Sequence, residues 1–271
     1  MTEDEEILDD ISSNLLSGKL VVIQDAIKPE VAEMVFRLLN GGSLRWQKRT
    51  GSPPGTSPHY NVSKSELSRD TIPSTLSSIV NMFHHRKTKV FFESISGRSC
   101  ENAVGFGFNR FEAEDYDNPI STFYQDHTLH VSWYLQKDWP LTHGGLFNWH
   151  PAKSTYGKNV NFRFNDLVLF LPGPSQIHSV HPVNFWVDDK RTLIDGRYSA
   201  GTSSLHSDMD EALDMFSTGD GINRLSFNQA GKLIREIDET VDSASSDALA
   251  ALRDRLEEYI HPYDESTLVI N

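Results

Sequence analysis

Between residues 103 and 200 the chain is written in short aromatic and β-branched runs, each cut off by Gly, Pro, Asn or Asp. They are Val104 to Phe111, Ile120 to Gln136, Gly145 to Trp149, Val160 to Phe164, Leu167 to Leu171, Ile177 to Val183 and Arg191 to Tyr198. Strands this short, following one another without helical stretches between them, favour a sandwich or barrel over a parallel α/β sheet. The flanks read differently. Residues 1–45 suggest helix, strand, helix: Ile7, Ile11, Leu15 and Leu16 recur at helical spacing, Lys19 to Ile23 forms a β-branched run, and Pro29 to Leu39 resumes the helical period before Asn40-Gly41-Gly42 stops it.

Residues 46–75, rich in Gly, Pro, Ser and Thr, are expected to be a long surface loop and a candidate lid, as is Asp115 to Phe123. An amphipathic helix is expected over 76–96. The tail, 206–271, returns to helical spacing at Leu233, Ile234, Ile237 and Val241, and again at Leu249, Leu252, Leu256, Tyr259 and Ile260. These observations divide the chain into a main domain, 1–205, and a helical extension, 206–271, either packed on that domain or serving as a homodimer contact.

Composition narrows the chemistry. A single cysteine, Cys100, rules out an internal disulfide and any multi-cysteine metal site, so a metal would need histidine and carboxylate. With 25 Lys+Arg against 38 Asp+Glu the net charge is −13, which repels polyanions. The basic stretch His84 to Lys89 is too short to reverse that, so no nucleic-acid partner is expected. Neither is a membrane partner: no run approaches the roughly 20 apolar residues of a membrane helix, and the acidic opening is unlike a signal peptide. A cytoplasmic location is expected. No Gly-x-Ser-x-Gly elbow, nucleotide-binding Gly-x-x-x-x-Gly-Lys motif or dinucleotide fingerprint occurs, and nothing around Cys100 marks it as an activated thiol.

The remaining signal lies in an ordered set of motifs: Trp133-Tyr134-Leu135-Gln136-Lys137-Asp138-Trp139, Gly144-Gly145-Leu146-Phe147, Asn165-Asp166-Leu167-Val168-Leu169-Phe170, His178-Ser179-Val180-His181-Pro182-Val183, and Arg191. In order and spacing they resemble the iron(II)- and 2-oxoglutarate-dependent dioxygenases, in particular the prolyl-hydroxylase-like branch. The likeness covers about residues 100–200, and Lys19 to Leu39 is similar to that family's entry strand and helix. It implies a mainly β fold with flanking helices around a double-stranded β-helix (jelly-roll, cupin-like) core of about eight strands. It also implies Fe(II) as cofactor, 2-oxoglutarate as cosubstrate, and hydroxylation of a small molecule or an amino-acid-type substrate. Carried over by position, His178 takes the place of the distal iron ligand and Arg191 that of the arginine clamping the oxoacid, with Tyr134 or Trp133 lining the cosubstrate pocket. Arg191 lies thirteen positions after His178, longer than the family's usual interval, so Trp186 to Asp189 should loop out. His181, three residues beyond His178, should face the other way.

The chain departs from the family at the first metal motif, a His-x-Asp or His-x-Glu triplet. None occurs between residues 100 and 136. Three arrangements remain open. His127 and His178 bind iron with Asp126, or another carboxylate, brought in by a bulge. Alternatively the carboxylate is absent and a halide or water takes its position, as in the family's halogenases, although Leu129 is bulky for that. In the third, an alignment through Asp115 to Pro119 puts Ile120 and Thr122 in the motif's place and the metal site is lost, leaving a non-catalytic binding barrel. Strand alternation puts His127, Leu129, Val131 and Trp133 on one face, read here as the inward one. His130 is the substitute ligand if the register shifts by a residue.

Overall fold

The computed structural model describes residues 3–42, 44–51, 61–68, 70, 72–120, 127–150, 157–173, 176–200, 227–240, 247–260 and 267–270. Its amino-terminal part is α1 (Glu3–Leu16), β1 (Leu20–Ile23) and α2 (Pro29–Asn40), then β2 (Trp46–Gly51), β3 (Val62–Leu67), α3 (Ser74–His84) and α4 (Arg86–Ser96). The strand-rich part follows as β4 (Asn102–Phe111), β5 (Tyr116–Ile120), β6 (His127–Tyr134), β7 (Phe147–His150), β8 (Lys158–Val160), β9 (Leu167–Phe170), β10 (Ile177–Val180) and β11 (Arg191–Ser199). The chain closes on α5 (Phe227–Thr240), α6 (Asp247–Ile260) and β12 (Thr267–Ile270).

The strands order as β12-β1-β9-β6-β11-β4-β3-β5-β10-β7-β8. Two antiparallel four-strand halves emerge, β9-β6-β11-β4 and β5-β10-β7-β8, and β3 joins them. It pairs with β4 through Ser65 and Glu66 and with β5 through Val62 and Ser63. These eight strands form a double-stranded β-helix; β1 extends the first half, and β12 adds to β1 in parallel.

Side-chain alternation divides the first half into two faces. On β6, Leu129, Val131 and Trp133 join the cluster that holds Ile11 and Leu15 of α1, Val35 of α2, Leu76 of α3 and Phe92 of α4. The opposite face carries His130, Ser132 and Tyr134. Tyr134 belongs to a second cluster, with Phe147, Trp149, Phe162, Val168, Phe170 and Leu193, between the two halves. The interior of the β-helix is therefore lined by the face opposite to the one expected from Leu129, Val131 and Trp133. Hydrophobicity alone could not tell the faces apart, because every residue of β6 is buried.

Three further expectations change. The stretch 46–75 is not wholly loop: β2 and β3 form an antiparallel pair, in which Val62 and Leu67 are buried. Lys, Arg, Ser and Glu fill the intervening positions and hide the alternation. The helix over 76–96 is two helices, broken at His85, whose ring nitrogen accepts from the Lys87 backbone N–H and caps α4. Part of the second candidate lid is β5. In the tail, Ala230, Leu233 and Ile237 of α5 and Leu249, Leu252 and Leu256 of α6 are buried within the same cluster as the amino-terminal helices. Among the described residues no helix is long and apolar enough to cross a membrane.

Candidate functional site

Side chains that share a strand face and a register place the polar residues of the interior. Ser132 of β6 lies opposite Asp195 of β11, His130 opposite Arg197, and Tyr134 opposite Leu193. Arg191, two residues before Leu193, starts the same face of β11. Gly196 points the other way, and a Cβ there would stand 2.3 Å from the Phe106 ring. The close packing of Phe106 thus fixes β11 where Asp195 and Arg197 face inward.

Arg191 occupies one end of this interior. It is 1% exposed, and Nε, Nη1 and Nη2 are all buried with no hydrogen-bond partner among the described residues. Its guanidinium carbon lies 4.9 Å from the centroid of the Tyr134 ring, a cation–π distance. Burial pushes the guanidinium's pKa down, and burial pushes the Tyr134 phenol up against the opposing pull of Arg191. A desolvated cation with unused donors costs several kcal/mol unless an anion meets it. The fork of a guanidinium is matched by a carboxylate. Asp188 and Asp189, the neighbours that could have paired with it at the surface, are exposed.

The other end is a histidine–carboxylate cluster. His130 Nε2 lies 2.9 Å from Asp195 Oδ1 and 3.0 Å from Ser132 Oγ, while the Ser132 hydroxyl donates to Asp195 Oδ1 at 2.7 Å. Burial alone would raise the Asp195 pKa, but His130, with Lys64 and Arg197 beyond it, holds it well below the usual carboxylate range. Across the interior, the His178 and His130 rings stand edge to face with centroids 5.2 Å apart. His130 stacks on Phe170 at 4.4 Å, and His178 on Phe147 at 5.8 Å. Burial, reinforced by the charges of His130 and Arg197, keeps the His178 pKa well below that of a free imidazole. Lys64 reaches within 3.6 Å of Asp117 on β5.

The proposed ligands from the sequence fall as follows. His178 lies inside, opposite Trp149 on β7 and Ile120 on β5. His127 is buried with Nδ1 unpartnered among the described residues; a register shift at the end of the β6–β11 ladder pairs it with Ser199. Burial, with the charges of Arg197 and His130, lowers its pKa to about 3. The imidazole seen against His178 is that of His130, the substitute candidate. Asp126 and Thr122 lie outside the described residues. Trp133 is on the opposite face, donating from Nε1 to Asn165 Oδ1 at 3.0 Å, whereas Tyr134 faces Arg191. His181 is exposed. Asp195 and Ser132 were absent from the sequence-derived site. Counting by twos from Arg191 and Tyr134 along their strands would have reached both.

By type, the imidazoles and the carboxylate are donors that a ferrous ion accepts. As these side chains stand, no group of three His, Cys, Asp or Glu among the described residues is arranged to hold a metal ion.

No family model matches the chain, and no curated protein matches it. Solved structures do. A Pseudomonas putida prolyl-4-hydroxylase superposes with a TM-score of 0.52 at 12% identity, over 71% of this chain and 98% of that one. An oxidoreductase of the 2OG-Fe(II) oxygenase family from Burkholderia pseudomallei gives 0.52 at 16%, over 71% and 90%. A Trichoplax adhaerens prolyl hydroxylase, solved with a hypoxia inducible factor peptide, gives 0.51 at 14%, over 73% and 93%. At such identities the likeness establishes the fold: this chain is built on the same double-stranded β-helix as those oxygenases.

Proposed function

We propose that the chain is an Fe(II)- and 2-oxoglutarate-dependent oxygenase acting on a small molecule or an amino-acid-type substrate. One observation carries the reading: Arg191 is a buried guanidinium with three nitrogens unpartnered among the described residues, at the position where the resemblance calls for the clamp on 2-oxoglutarate. Its fork would receive the distal carboxylate, with Tyr134 holding the guanidinium in place from the ring face. Phe147, Phe162 and Phe170 would exclude water from the cosubstrate. His178, kept neutral by burial, would be one iron ligand. Iron, when bound, supplies the activation of dioxygen that oxidises an unactivated C–H bond as 2-oxoglutarate goes to succinate and carbon dioxide.

The test is anaerobic loading with Fe(II) and 2-oxoglutarate, then admission of oxygen and assay of succinate. The wild type is expected to form succinate without added substrate, and Arg191→Met to lose 2-oxoglutarate affinity by about 100-fold or more, as removal of a bidentate charged partner does. Absence of succinate from the loaded wild type would overturn the oxygenase reading. A second reading, a barrel that binds a dicarboxylate without oxidising anything, is favoured by the lack of a ready three-donor cluster among the described residues. It predicts 2-oxoglutarate binding that needs Arg191 but no metal and yields no succinate.

A further inference from the structure

We propose that the open end of the interior holds a free α-amino acid as the zwitterion, its ammonium on Asp195 and its carboxylate on Lys64, over the bare backbone of Gly107. That this zwitterion is the substrate rests on the oxygenase reading above, which it deepens; that it binds does not.

The strand register brings these residues to one place. Asp195 of β11 is paired with Gly107 of β4, and directly opposed residues share a face. Val180 of β10 and Val62 of β3 are both paired with Asp117 of β5. His178, two residues before Val180, and Lys64, two after Val62, therefore turn to the same interior. A Cβ at Gly107 would meet only the Gly105 carbonyl oxygen, at 3.9 Å, so there is room in front of it. The charged side chains around this space are not sealed off: Asp195, Asp117 and Lys64 are 19%, 16% and 14% exposed.

The polar atoms on this space complement a zwitterion. His130 and Ser132 both engage Asp195 Oδ1, and Oδ2 accepts no hydrogen bond among the described residues. The carboxyl stays ionised because His130, Lys64 and Arg197 outweigh the upward push of burial. Lys64 Nζ stands 3.6 Å from Asp117, too far for a hydrogen bond, so its N–H donors are available to an incoming carboxylate. Its charge acts on both Asp195 and His178, which places it over the same space. Glu66, the next inward residue of β3, is paired with Arg49. The remaining lining carries two cations, Lys64 and Arg197, and two carboxylates, Asp117 and Asp195. A net charge would upset that balance, whereas an amino acid adds one charge of each sign. The lone cation at the Arg191 end selects an anion instead.

The experiment uses the full chain with 2-oxoglutarate under anaerobic conditions, so that nothing is turned over. The common L-α-amino acids are screened by the rise in Tm each produces, and the strongest is titrated calorimetrically beside its N-acetyl and its carboxamide forms. Each masked form should bind about 10- to 100-fold more weakly, the loss of one charged hydrogen-bonded contact. Asp195→Asn should weaken the parent amino acid by a similar factor yet leave the N-acetyl form within about threefold, and Lys64→Met should do the same toward the carboxamide form. Gly107→Val, which a strand accepts and no neighbour blocks, should abolish amino-acid binding while 2-oxoglutarate still binds. Far-UV circular dichroism and Arg191-dependent binding of 2-oxoglutarate check that each variant is folded, and the masked ligands test the claim on the wild type whatever the variants do. If no amino acid raises Tm, or if the N-acetyl carboxamide binds as tightly as the free form, as a residue inside a peptide would, the zwitterion site is wrong while the oxygenase reading, judged by succinate, stands. If the amino acid binds as described but the loaded wild type forms no succinate, the site stands, and the oxygenase reading fails together with the substrate role.

Discussion

The two ends of the interior handle buried charge in opposite ways. At one end Arg191 sits with three nitrogens unpartnered among the described residues and only an aromatic face beside it. At the other, charges are matched internally: Asp195 with His130 and Ser132, and Asp117 with Lys64. An uncompensated buried cation is held at a cost that an incoming anion would offset. The compensated end is already satisfied at Asp195 Oδ1 by its own hydrogen bonds. The two ends should therefore respond differently to mutation and to pH.

The largest expected effect tests the compensated end. Asp195→Ala leaves His130 and Ser132 without their acceptor, and removing one member of a buried pair typically costs about 3–5 kcal/mol. The double variant His130→Leu/Asp195→Leu removes both partners and should recover much of that loss, because apolar replacement of a buried pair is close to neutral. Urea unfolding of the two single variants and the double variant measures the coupling. Additive losses would mean that the pair is not a unit.

A smaller effect separates the ends by pH. His127, at about 3, and His178, well below its free value, are both depressed by burial. A histidine whose folded pKa lies below its unfolded value of about 6.5 binds its proton more readily when unfolded, so stability is full above about pH 6.5 and falls as pH drops toward the folded pKa. Asp195 is also depressed, but its contribution is present above the unfolded carboxylate value of about 3.9 and is lost only below it. Between about pH 6 and 4.5 the slope thus reports the histidines. His127→Gln should flatten it by up to about 1.4 kcal/mol per pH unit, measured by denaturant unfolding across that window; an unchanged slope would show that His127 is not buried neutral.

Much of this was legible from residues, for reasons that differ along the chain. The β-helix strands were readable because their apolar runs are bounded by turn-forming residues, and the buried positions of Arg191 and His178 because each belongs to a strand those runs mark. The inward face of β6 was not. Trp133, Val131 and Leu129 are buried against the helices, so the greasier face of the strand turns away from the interior of the β-helix, and the alternation His130, Ser132, Tyr134 faces it. β2 and β3 were hidden by exposed charged positions, and β12 by its distance in sequence from its partner β1. Strand alternation from Arg191 marks Asp195 as inward-facing, but its hydrogen-bond partner Ser132 lies 63 residues away on another strand and is not encoded locally.

The smallest expected effect sharpens the ligand-seeking end. Tyr134→Phe keeps the aromatic face over the Arg191 guanidinium, so the 4.9 Å cation–π contact survives; only the phenol hydroxyl is lost. If the ring is what holds the guanidinium, 2-oxoglutarate affinity should fall by about 2- to 10-fold, the worth of at most one neutral hydrogen bond to the oxoacid. Tyr134→Leu should fall further, because the contact itself is worth about 1–2 kcal/mol when desolvated. Isothermal titration of both variants with 2-oxoglutarate gives the ranking. Equal losses for Phe and Leu would assign the effect of Tyr134 to its hydroxyl, leaving the guanidinium positioned by the β11 backbone alone.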